Sequence, residues 1–93
     1  MSELRVFKYP IPISDYIEIT MPKGAALLNF QAQNDIPVLW ALVNPGNEPV
    51  TRRFAVVGTG HPIKVGLDPE RYIGTCQMYD GQLVWHLFEH PDP

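Results

Sequence analysis

The stretch Gly58-Thr59-Gly60-His61-Pro62 brings two glycines, a hydroxyl and an imidazole into one short segment. Glycines free the backbone to turn N–H groups toward a common point, and such a nest of donors can hold a phosphate. Arg52, Arg53 and Lys64 lie close by in sequence, and guanidinium forks bind phosphate oxygens in pairs. Arg52, Arg53, Gly58, Thr59, Gly60, His61 and Lys64 are therefore the candidate site for an anion or nucleotide. The segment lacks the lysine and the following helix of a P-loop, and its plain reading is a turn after a strand. Successive strand residues face opposite ways, so Arg52 and Arg53 are not expected to line one pocket of a single subunit.

Catalysis finds no support. Cys76 falls on an expected core face, where a thiol is inert, and serine is too scarce to supply a locally supported triad. Asp15 and Glu18 would meet as paired carboxylates only by accident of folding. His86 is the histidine best placed to matter, although an imidazole bonded to a strand neighbour is its ordinary state, and His90 falls in an end expected to fray, as do residues 1–3 and 91–93. Trp40 and Trp85, with Phe30, Phe54 and Tyr72, have the chemistry to stack a base, while burial in the core is the default for such rings. No Cys/His spacing matches a metal site, and no cofactor is expected.

The elements that position these residues are strands. Ten prolines and seven glycines cut the chain into short segments, which argues against long helices. Strands are expected at 4–9, 16–20, 25–33, 36–43 and 50–57, followed by a final hairpin. Asn34-Asp35 reads as a tight two-residue turn, because both residues tolerate positive φ. That turn sets Gln33 opposite Ile36, Phe30 opposite Leu39, Asn29 opposite Trp40 and Leu28 opposite Ala41. Strand 36–43 is apolar on both faces, the mark of a central or covered strand. Asp80-Gly81 is a favoured type I′ turn, so Tyr79 should face Gln82, and Thr75 should face His86. One face of this hairpin, with Gly74 leaving room for large rings, then belongs to the core. The other presents Thr75, Gln77, His86 and Phe88 as a candidate contact face.

The chain has 93 residues and 45% hydrophobic content, enough for one compact core and for no second domain. A formal charge of −3 disfavours non-specific nucleic-acid binding, which draws on a basic surface. A single cysteine permits no internal disulfide and fits a reducing compartment. No apolar run approaches the ~18 residues of a membrane span, and no secretory leader is evident.

The segments Phe7-Lys8-Tyr9-Pro10, Met21-Pro22-Lys23-Gly24-Ala25 and Pro37-Val38-Leu39-Trp40-Ala41-Leu42-Val43 resemble a family of small uncharacterised proteins encoded by tailed bacteriophages. The resemblance continues through Gly58-Thr59-Gly60-His61-Pro62-Ile63, Tyr72-Ile73-Gly74-Thr75 and Gly81-Gln82-Leu83-Val84-Trp85-His86-Leu87-Phe88-Glu89. It implies a phage accessory protein of the host cytoplasm, of a kind that often counters host defences, and no settled activity.

The expected fold is all-β: a single antiparallel sandwich or half-open barrel of about six short strands, meander-like, with two tight hairpins over residues 1–93. The expected function is a non-enzymatic homo-oligomer that sequesters a small anionic nucleotide signal of host defence. The alternatives are a protein-binding inhibitor of a host defence enzyme or nuclease, acting through the contact face, and a minor virion or assembly component.

Overall fold

The computed structural model describes residues 3–63 and 66–90. Among them are seven strands: β1 (Arg5–Pro10), β2 (Ile17–Pro22), β3 (Ala26–Gln33), β4 (Ile36–Val43), β5 (Pro49–Gly58), β6 (Tyr72–Met78) and β7 (Leu83–Glu89). A single 3-10 turn, Pro69–Arg71, leads into β6, with the Asp68 carboxylate accepting from Glu70 N–H at 2.9 Å. The strands form two antiparallel sheets, ordered β1-β4-β3 and β2-β5-β7-β6, so the all-β expectation holds as an open sandwich with seven strands in place of six.

The connectivity is not that of a meander. Only β3–β4 and β6–β7 are hairpins, while β1 to β2, β2 to β3 and β4 to β5 change sheets. Each crossing needs a break in the ladder, and Pro10, Pro12, Pro22, Pro45 and Pro49 supply it at strand ends and in the connections. Pro37 is the exception inside a central strand. It pairs with Ala32 one step beyond the tight turn, where its nitrogen faces away from β3, and its carbonyl accepts Ile11 N–H at 2.9 Å just past the end of β1.

The inner faces of the sheets supply the core, with Phe30, Leu39, Phe54 and Leu87 at 1% exposure or less. Phe30 and Phe54 are thus core rings and not a stacking platform. Sheet edges meet on one side only: β3 packs against β6 without joining its ladder. Gly74 makes that approach possible, since a Cβ there would stand 3.2 Å from Phe30 Cβ. On the other side β1 and β2 are free edges.

Both hairpins form, each with a correction. Asn34 (φ 52°) and Asp35 (φ 59°) make the expected turn, and Gln33, Phe30 and Asn29 take their expected partners. Leu28 does not face Ala41, because the register shifts between Leu27 and Asn29 and Leu27 takes that place. The bulge lets Leu27 pack on the core while Leu28 stays 53% exposed. In β6–β7 the pairs from Met78–Leu83 to Gly74–Leu87 are as expected, Thr75–His86 included. Tyr79 and Gln82 leave the ladder, however. Tyr79, Asp80 and Gly81 are all left-handed, and two overlapping turns close the loop through Gly81 N–H to Met78 O and Gln82 N–H to Tyr79 O, both 3.1 Å.

Candidate functional site

The end of β5 carries the loop singled out by its residue types. Gly58 pairs with Trp85 of β7, Thr59 N–H donates to Val84 O at 3.2 Å, and His61 N–H returns to Gly58 O at 3.1 Å. The tight return folds the imidazole back over Gly58, where an added Cβ would lie 2.6 Å from His61 Nδ1. His61 thereby stands edge-on to Trp85, ring centres 6.3 Å apart. Beside this pair a cleft of about 380 Å³ opens between the loop, the end of β5 and the Ile13–Asp15 segment of the β1–β2 connection, a volume within the usual range of small-ligand sites. A smaller hollow of about 140 Å³ continues past Thr59 toward Gln82 and Val84.

The outer face of the same sheet carries a chain of hydrogen bonds. His86 holds Thr59 Oγ1 at 2.6 Å through Nε2 and Thr75 Oγ1 at 2.8 Å through Nδ1, and Thr75 meets the Tyr72 hydroxyl at 2.5 Å. Phe88 packs edge-on against Tyr72 at 5.6 Å. The loop and the contact face, read from sequence as separate features, are therefore joined by Thr59 and His86. Gln77 shares the face and is exposed, outside the network.

The arginines go elsewhere. Arg52 grips Glu89 with two bonds of 2.7 and 2.8 Å and donates to Ala25 O at 2.7 Å. It thus ties β5 to the end of β7 and to the start of the other sheet. Arg53 points to the opposite face, bonded to the Tyr16 hydroxyl at 2.7 Å and paired with Glu18 at 3.4 Å. Both sit about 16–20 Å along β5 from Gly58 at ~3.3 Å per residue, too far to share its cleft within one subunit. Lys64 lies outside the described residues, as do positions 1, 2 and 91–93. His90, expected to fray, is held: its N–H donates to Arg53 O at 2.7 Å and its ring nitrogen lies 3.3 Å from Asp15 O.

Three features escaped the sequence. The Ile13–Asp15 wall comes from a connection with no motif of its own. Tyr72 joins the network through a hydroxyl three residues before Thr75. Trp85 has a buried indole N–H with no hydrogen-bond partner, which only a folded register reveals. Cys76 is 2% exposed and burial pushes its thiol pKa up. Among the described residues no group of three His, Cys, Asp or Glu is placed to hold a metal ion, and no helix is long and apolar enough to cross a membrane.

An open seven-stranded β-sandwich with a loop-lined cleft at the end of one central strand defines the class of this domain. The chain belongs to the family described as a domain of unknown function, DUF7352, which matches residues 2–93. No curated protein and no solved structure matches it.

Proposed function

We propose that this is a bacteriophage accessory protein of the host cytoplasm that binds its target without turning it over. As a homo-oligomer it sequesters a small anionic nucleotide signal of host defence in the cleft beside Gly58–Pro62. The observation that carries this reading is the cleft itself, in which His61, Gly58 and Trp85 meet on one wall. With the arginines engaged at Glu89 and Glu18, recognition there rests on the hydrogen-bonding groups of the cleft wall, Trp85, His61, Ser14 and Asp15 among them. The phage setting and the role against host defence rest on the sequence resemblance.

Self-association is favoured by the outer face of the β1-β4-β3 sheet, where Val6, opposite Leu42, and Ile36 are each more than half exposed. Apolar side chains clustered on one face of a small domain mark a surface for association. The test of function is a thermal-shift screen of cyclic nucleotides, cyclic dinucleotides and ADP-ribose derivatives. A saturable rise in melting temperature with one of them is expected, and no response from pure folded protein overturns the reading.

The reading as a protein-binding inhibitor draws on the Thr59–His86–Thr75–Tyr72 network, which fixes four polar side chains on one face before any partner arrives. A stoichiometric protein partner recovered from host lysate, lost on His86→Ala, would favour it over the first.

A further inference from the structure

Trp85 Nε1 is the one buried side-chain polar atom among the described residues with no hydrogen-bond partner. Native folds rarely leave such a donor idle, so each one calls for a reason. Trp85 forms part of the wall of both the cleft and the adjoining hollow. Edge-on to it stands His61, an exposed residue seated where it is only because position 58 has no side chain. The opposite wall contains Ser14 and Asp15, and none of the described residues lining the cleft is Lys or Arg. A carboxylate without a cation repels a phosphate but accepts an N–H.

We propose that the cleft takes the base end of a nucleotide, with Trp85 Nε1–H donating to a base carbonyl or ring nitrogen, Asp15 accepting a base N–H, and His61 acting as a displaceable plug over the indole. The phosphate end is left outside, toward Thr59. This rests on the cleft reading above and names which part of the ligand it recognises.

The test uses a Trp40→Phe chain, in which Trp85 is the sole tryptophan, with GMP and ribose 5-phosphate as probes. GMP is expected to change Trp85 emission saturably and to shift its indole N–H resonance, while ribose 5-phosphate does neither. Trp85→Phe, which keeps an aromatic ring in place, should weaken GMP binding at least tenfold with its melting curve intact. Without any ligand, His61→Ala should raise acrylamide quenching of Trp85 severalfold. Ribose 5-phosphate binding as well as GMP, or no response to GMP at millimolar concentration, overturns base recognition. Unchanged quenching in His61→Ala overturns the plug. A signalling nucleotide that binds with Trp85 unperturbed overturns this inference and leaves the cleft reading standing.

Discussion

Arg52 and Glu89 face each other with about a fifth of each side chain exposed, and their paired bonds cross from β5 to the end of β7. Glu89→Gln keeps the shape and removes the charge from that pair. Hydrogen bonds to charged groups contribute about 1.5–3 kcal/mol, so this substitution is expected to lower unfolding free energy by about 2 kcal/mol, read from the urea midpoint. Nucleotide binding should be unchanged, because neither residue lines the cleft. Cys76 gives a second check. Its raised pKa and its burial both suppress thiolate, so the native protein at pH 8 should react negligibly with a disulfide reagent and show one thiol only after unfolding. The arginines show what residue-level reading misses. Alternation along β5 correctly separates the faces of Arg52 and Arg53, but their partners come from β2, β7 and the 25–26 region, which no local pattern names.

At the scale of elements, two glycines set how the strands and the loop close. Gly74→Ala puts a methyl 3.2 Å from Phe30 Cβ, which must part β3 from β6. Overpacking of this kind costs about 1–3 kcal/mol, and a melting point lowered by several degrees is the expected readout. Gly58→Ala acts differently, because its Cβ meets the His61 ring at 2.6 Å and the ring has solvent to move into. The expected result is a domain that still folds but whose Trp85 is more readily quenched by acrylamide. The two hairpins were legible because Asn34-Asp35 and Asp80-Gly81 accept positive φ and each lies between two runs of strand-forming residues. The bulge at Leu28 was not, since it answers to core packing by Leu27 across from Ala41. The pairing of β5 with β7 was not legible either, and it is this pairing that sets Gly58 beside Trp85. The loop and His86 were therefore singled out from sequence as candidates, while the bond between them was not legible there.

For the molecule as a whole, the proposal of self-association rests on β4. Its inner face is buried in the core, and its outer face holds Ile36, Val38, Trp40 and Leu42. Val38 is buried, and Lys8 Nζ bridges that strand by donating to Gln33 Oε1 at 2.8 Å. Around it Val6 and Ile36 remain 57% and 54% exposed. Their replacement together by lysine touches no core contact, so monomer stability should change little. Light scattering after gel filtration should show an oligomer for the unaltered chain and a monomer for the Val6→Lys, Ile36→Lys variant. Identical masses for the two would remove this face as the interface. The central claim concerns binding at the Gly58–Pro62 cleft, and calorimetric titration of the purified protein with defence-signalling nucleotides tests it most directly. One nucleotide binding saturably at a fixed ratio per chain is the predicted result. Heat no greater than dilution for every nucleotide, from protein shown to be folded, contradicts it.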